Sequence, residues 1–540
     1  MFQNNLKNLF STWKSDLTAG ITVAIVALPL ALAFAVASGV EPKAGLYTAI
    51  IAGILASLFG GSKFQITGPT GAMAVILIDI VRKYGIEEVW LAGFMAGAIQ
   101  LILGINKLGG LVKFIPYPVI TGFTNGIAII IFCGQINNFL GLQLPRADDL
   151  FLELTNTVKN LSLVNWAALS IGGLVVLINI FWNKFDFYIT RKIPASLVSL
   201  VLATAVCNYF DLSLPRIGEI PQQLPMPQGI PNWNNFAVIH NLMPAALALA
   251  ALGSIESLLS AMVADSMTDS QRHDSNKELI GQGIANMVVP FFGGIPATGA
   301  IARTAVNIRA GGKGPLSGIV QGLVLALIVL AFAPWAEQIP LAALAGILLV
   351  VSFRMLEWEE VKLLVKTTRS DTTVLFLTFF LTIFFDLILA VEVGLIAAGV
   401  LFIKKMSDLS LTKMPEEKIF EPGVPEELSR QIVVYRVDGP LFFGVAERFV
   451  NVLHEITEVK ILVLRMRYVS NIDSSGVVAL EEIYRDLKSR GCKLVLSGMR
   501  STVRSVLDRS GVLGQIGREN CFESAQKAIK MSFEEISVNK

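Results

Sequence analysis

The sequence predicts a polytopic α-helical membrane protein built from two inverted halves of seven segments each, followed by a small α/β domain. Three observations carry this. Of 540 residues, 53% are hydrophobic and 16% charged, with a mean hydropathy of +0.63, which is more apolar surface than a soluble core of this length can hide. The stretch Phe59–Met73, FGGSKFQITGPTGAM, returns in its key letters as FGGIPATGA at Phe292–Ala300, so the chain was built twice. After Lys405 the apolar runs stop, and prolines amid charges, MPEEKIFEPGVPEE, lead into a different pattern.

The first uncharged run, Leu17–Ser38, is long enough to span a bilayer and reads as a first span rather than a cleavable signal. Uncharged runs follow at 44–62, 64–78, 89–106, 114–145, 161–183 and 193–210, closing a first half before the Pro-rich stretch 215–231. The second half offers 241–264, 279–292, 296–308, 315–336, 338–353, 372–391 and 393–403, interrupted by Glu256, Arg303 and Asp386. These give repeats at about 15–212 and 238–405 within a membrane part of residues 1–408. An odd-numbered repeat inserts upside down relative to its twin.

Lys and Arg concentrate on the cytoplasmic side of short loops. With the N-terminus inside, eighteen fall inside: Lys7, Lys14, Lys63, Lys107, Lys113, Lys184, Arg191, Lys192, Arg272, Lys277, Arg309, Lys313, Arg354, Lys362, Lys366, Arg369, Lys404 and Lys405. Six fall outside, namely Lys43, Arg82, Lys83, Arg146, Lys159 and Arg216. That asymmetry favours fourteen segments with both termini cytoplasmic. The formal net charge of +2 points to no nucleic-acid partner. Cys133, Cys207, Cys492 and Cys521 show no metal or disulfide spacing and read as small buried hydrophobes.

Residues 409–430 read as a linker with Pro415, Pro422 and Pro425, and a domain occupies 431–540. Alternating IVVYRV (432–437), the run PLFF (440–443), KILVLRM (460–466) and CKLVLSG (492–498) predict strands. Helical periodicity falls at 446–457, 475–490, 501–510 and 522–531. The module is large enough for its own core.

In both repeats an apolar run ends at Phe-Gly-Gly, crosses a breaker containing proline, and restarts at Thr70-Gly71-Ala72 or Thr298-Gly299-Ala300. Paired breaks at matching positions mark broken helices near mid-membrane. They aim two helix N-termini, each with free N–H groups and about half a positive charge, at one spot where an anion can sit. The candidate anion ligands are therefore Thr70, Gly71 and Ala72 with Ala300, Ile301 and Ala302, unless the small residues serve only close helix packing. Arg303, one turn into the second half-helix, either attracts the substrate or pairs with Glu256, because an arginine that deep must face an anion, a carboxylate or water. Glu256 lies in AALALAALGSIESLLSAMVA, where an ionised carboxylate costs about 3 kcal/mol; it is a functional carboxylate or an ion-pair partner. Asp265, Asp386 and Glu392 sit near segment ends, where interfacial water solvates them. GGKG (311–314) lacks the strand, spacing and Ser/Thr of a P-loop. His240, His273 and His454 are isolated and imply neither a metal nor a triad, and nothing calls for a cofactor.

The motifs PLALAFAVASGVEPKAGLYTAII (29–51), ITGPTGA (66–72), SIESLLSAMVAD (254–265), NKELIGQGIAN (276–286) and GGIPATGAIART (293–304) resemble the SulP anion transporters. IDSSG (472–476) with its following helix is similar to a STAS domain. The resemblance implies a core domain of segments 1–4 and 8–11, a gate domain of 5–7 and 12–14, elevator-like movement, and a homodimer in the lipid bilayer. It also implies that Phe34 lines the site from the opposite wall, although core packing would equally explain that residue. Stand-alone STAS proteins are phosphorylated at the serine matching Ser474, which here starts a helix and equally fits a plain N-cap. Sodium-coupled relatives carry aspartate and then threonine where this chain has Glu256 and Ser260.

The function these readings favour is secondary transport of a small anion, such as sulfate, bicarbonate or a dicarboxylate, coupled to protons through Glu256, with Ser260 joining Glu256 as a cation ligand if sodium is coupled instead. Sodium symport, exchange or uniport are the alternatives for coupling. Nucleobase carriers share the architecture but not the STAS domain. A channel, a voltage-responsive motor and a STAS-based signalling protein are the rivals of other classes, and no nucleophile–base constellation supports an enzyme.

Overall fold

The computed structural model describes residues 12–110, 115–144, 150–184, 193–227, 236–268, 272–385, 387–411, 416–417, 431–443, 450 and 459–538. Asp386, His454, Pro415, Pro422, Pro425, most of the helix expected at 446–457, and Lys7, Lys113, Arg146, Arg191 and Lys192 lie outside them. The chain divides into two compact units, Met1–Ile396 and Ala397–Lys540, and the boundary falls inside the helix Leu387–Leu411.

The described helices of the first unit, in chain order, begin with α1 (Trp13–Ala37), α2 (Pro42–Phe59), α3 (Gly71–Tyr84), α4 (Ile86–Ile105), α5 (Tyr117–Gly134), α6 (Ile136–Leu140), α7 (Leu150–Lys159), α8 (Trp166–Phe181) and α9 (Ala195–Tyr209). They continue with α10 (Phe236–Ser266), α11 (Ser275–Val288), α12 (Ile301–Arg309), α13 (Leu316–Ala336), α14 (Leu341–Met355), α15 (Trp358–Lys366), α16 (Arg369–Phe384) and α17 (Leu387–Leu411). Among the described residues, seven helices are long and apolar enough to cross a membrane. Proline at the first positions starts α2 and α5, whereas Asn165, Asp274 and Thr368 cap α8, α11 and α16 through their side chains.

Contacts sort these helices into two groups, α1–α4 with α10–α13 and α5, α8 and α9 with α14 and α16. In the first group α11 lies on α4 with backbones touching: a Cβ on Gly97 would stand 2.6 Å from the Met287 amide nitrogen, and one on Gly283 would stand 2.6 Å from that of Leu101. Without a hydrophobic driving force between helices in lipid, such close approach through small residues supplies the attraction. In the second group α5 lies on α16, and α14 lies on α8.

The second unit is a five-stranded sheet in the order β3-β4-β5-β6-β7. Strands β4 (Ile432–Asp438), β5 (Ile461–Tyr468), β6 (Lys493–Ser497) and β7 (Cys521–Phe522) run parallel. The stretch expected as linker contributes β3 (Glu416–Glu417), paired antiparallel with β4. Of PLFF, Leu441 makes a single bridge to Ile472. Alternation along β5 and β6 divides the core: Leu462, Leu464, Leu494 and Leu496 meet α18 (Ser474–Ser489), α19 (Ser501–Arg509) and α20 (Val512–Ile516) on one face. Val463 and Val495 meet α21 (Ala525–Val538) on the other. Burial pushes the Cys492 and Cys521 thiols up, which keeps them protonated and unreactive.

Candidate functional site

The two breakers meet. Here β1 (Thr67–Gly68) pairs antiparallel with β2 (Thr298–Gly299), Thr67 opposite Gly299 and Gly68 opposite Thr298, and the Ala300 N–H donates to the Ile66 carbonyl at 2.8 Å. Directly beyond the crossing, α3 starts at Gly71 and α12 at Ile301. Neither has a side-chain N-cap, so their leading N–H groups are available to an anion.

Buried polar side chains of α11 hold this crossing, and the sequence reading did not single them out. Glu278, 1% exposed, accepts from the Gly61 and Ser62 amides with one oxygen, both at 2.9 Å, and from Gln65 (2.8 Å) and Gln282 (2.9 Å) with the other. Gln282 also donates to the Thr67 hydroxyl at 2.8 Å. Asn286 grips the second breaker through both polar groups of Ala297. The signal that could have found them is their spacing: Glu278, Gln282 and Asn286 recur every fourth residue on one helix face.

The anticipated site residues gather around the same crossing. Thr70 donates to a Glu256 carboxylate oxygen at 2.9 Å. The guanidinium of Arg303, 1% exposed, lies against Gly68, where any Cβ would strike its Nη1. Its Nη2 donates to the Pro69 carbonyl, while Nη1 is buried without a hydrogen-bond partner. Arg303 and Glu256 thus reach adjacent residues of the first breaker. A Cβ on Gly71 would meet Ile131 Cδ1 at 2.6 Å, Phe34 Cε1 at 3.2 Å and Met355 Sδ at 3.7 Å, so Phe34 closes over the start of α3. Ala300 is buried, whereas Ile301 and Ala302 are exposed. The Ser260 hydroxyl, fully buried, bonds Thr304 at 3.0 Å, and Thr304 in turn accepts from the Ile66 amide.

A cavity of about 260 Å³ opens beside the start of α3, lined by Ala72, Ile76, Phe123, Ile127 and Met355, and by two carboxylates, Glu256 and Glu392. Glu392, expected in interfacial water, stands on this wall. His273 is not isolated either: its Nδ1 lies 2.7 Å from Asp265 Oδ2 and its Nε2 lies 3.0 Å from Ser275 Oγ, because the chain folds back between α10 and α11. The GGKG segment is a loop whose Lys313 and Gly314 amides donate to buried Asp16 at 2.7 and 3.0 Å. In the second unit Asp473 is the N-cap of α18, accepting from Gly476 at 2.9 Å. Ser474 stands exposed at the first helical position, so the capping role considered for it belongs to Asp473.

Residues 13–378 match the model of the sulfate permease family, and residues 426–528 match that of the STAS domain. A putative sulfate transporter, YvdB of Bacillus subtilis, is 43% identical over 521 residues, covering 95% of this chain and 96% of the relative. The bicarbonate transporter BicA of Picosynechococcus is 32% identical, covering 96% and 95%. The solved transmembrane domain of a cyanobacterial BicA superposes with a TM-score of 0.63 at 35% identity over 72% of this chain and 98% of that one. The structure of SLC26A9 gives 0.84 over 97% and 91%; at 19% identity it shows the fold alone.

Proposed function

Because the chain belongs to the sulfate permease family and ends in a STAS domain, we propose that it is a secondary carrier of a small oxyanion, namely sulfate, bicarbonate or a dicarboxylate. The observation that carries this reading is the β1–β2 crossing, which starts two uncapped helices from one place beside a cavity. An oxyanion is bound there by N–H groups of Gly71, Ala72, Ile301 and Ala302, with Arg303 supplying charge through the first breaker and Phe34 closing one side. The first helix group moves as a core against the second in an elevator-like cycle, in a homodimer of the inner or plasma membrane with both termini cytoplasmic.

Glu256 gives the coupling. Its carboxylate takes the Thr70 hydroxyl at the very N-terminus the anion would use, so an ionised Glu256 repels the substrate at close range. A proton on Glu256 removes that repulsion and is carried with the anion. Glu256 and Ser260, the pair a sodium site would use, bond different partners, Thr70 and Thr304.

The test is uptake of labelled sulfate, bicarbonate, fumarate and succinate into proteoliposomes. One of them should accumulate in a saturable way, faster when the outside is acidified at constant sodium. Glu256→Gln, which resembles the protonated form, should still bind the anion but lose its response to the pH gradient. Uptake that ignores pH and requires a sodium gradient would overturn proton coupling.

A further inference from the structure

We infer that Arg82 and Glu153 form an outer latch, holding the far end of α3 to α7, which packs on α5 of the second helix group, and parting whenever an anion passes on that side. The inference rests on the carrier reading above. Helix α5 runs past two cavities: its Val119, Ile120, Phe123, Thr124 and Ile127 line the one beside Glu256, and Ile130, Ile131 and Gly134, with Gln135 just after it, line another of about 160 Å³. That second cavity has Val75, Ile78, Asp79 and Arg82 of α3 on one wall and Glu153 of α7 on the other. Between the two, Phe34, Ile131 and Met355 close over Gly71. One site with a cavity on each side carries an anion across only if the two sides open in turn.

The pair is built for that. Arg82, in the last turn of α3, approaches Glu153 with Nη2–Oε2 at 3.8 Å, and the two side chains are 27% and 10% exposed. Glu153 is set from its own side, since its other oxygen accepts from Asn137 at 3.4 Å and Asn137 accepts from Thr157 at 2.7 Å. A partly solvated contact of this length biases a conformational equilibrium without locking it. A strong buried pair would hold one state too firmly for turnover.

The experiment uses the full chain with its four cysteines, Cys133, Cys207, Cys492 and Cys521, replaced, and a single reporter at Val75→Cys, a cavity-wall position 6% exposed. A membrane-impermeant maleimide is applied from the outer face alone. Glu153→Gln and Arg82→Gln should each speed labelling by about fivefold, and the charge swap Arg82→Glu with Glu153→Arg should bring it back toward the parent rate. Unchanged labelling in the single variants overturns the latch. So does a double variant as fast as the singles, which is also what general misfolding would give. Labelling needs no transported substrate, so a protein that takes up no anion yet shows this pattern refutes the carrier reading, and with it the latch's part in anion passage, while the Arg82–Glu153 contact still controls access to residue 75.

Discussion

Arg303 and Glu256 converge on three consecutive residues of the first breaker, and this dictates how each should respond to change. Arg303→Ala removes a buried cation beside two helix N-termini and should weaken anion binding by more than about tenfold, or about 1.4 kcal/mol, measured by titration of the purified protein. Gly68→Ala keeps the charge but puts a methyl where the guanidinium lies; it should reproduce most of that loss, and normal affinity there would mean the cation does not act from this position. Both charges were legible in the sequence because a lone charge in an apolar run is costly and demands a reason. Glu392 was not, because a carboxylate near the end of a run has the same sequence environment whether it faces interfacial water or a cavity wall. Nor do the neighbours of Phe34 in sequence show that its ring covers Gly71; only the family resemblance pointed there.

At the scale of the element, α11 matters more as a brace than as a span. Glu278 accepts four N–H groups, three of them from Gly61, Ser62 and Gln65 of the first breaker. Glu278→Ala leaves those donors buried without an acceptor and should cost about 3 kcal/mol, seen as a lower Tm of the detergent-purified protein, together with weakened anion binding. A variant as stable as the parent would mean that water replaces the carboxylate. The breaks themselves were readable because Gly and Pro interrupt helices by local chemistry. Their bracing was not, because it joins residues more than 200 positions apart and leaves only the four-residue spacing as a trace. In the second unit β4 announced itself by alternation and β5 and β6 by short apolar runs, whereas β3 and β7, two residues each, are too short to carry a period.

At the scale of the whole molecule, the βα module beyond residue 430 has its own two-sided core and should fold alone. A fragment of residues 431–540 should be soluble and melt cooperatively, and one beginning at 416 should melt a few degrees higher because β3 covers the edge of β4. Equal melting temperatures would make β3 dispensable, and an insoluble product would deny the module its independence. The crossing of β1 with β2 also governs the order of assembly. A chain emerging from the ribosome presents Ile66 to Gly68 long before Thr298 to Ala300 exists, and backbone groups left unpaired in lipid cost several kcal/mol each. The first half can insert its helices early, but its broken segment stays unsatisfied until the second half arrives. The crossing therefore cannot close before residue 300 has been made, and a translation product cut short before residue 298 lacks a partner strand for β1.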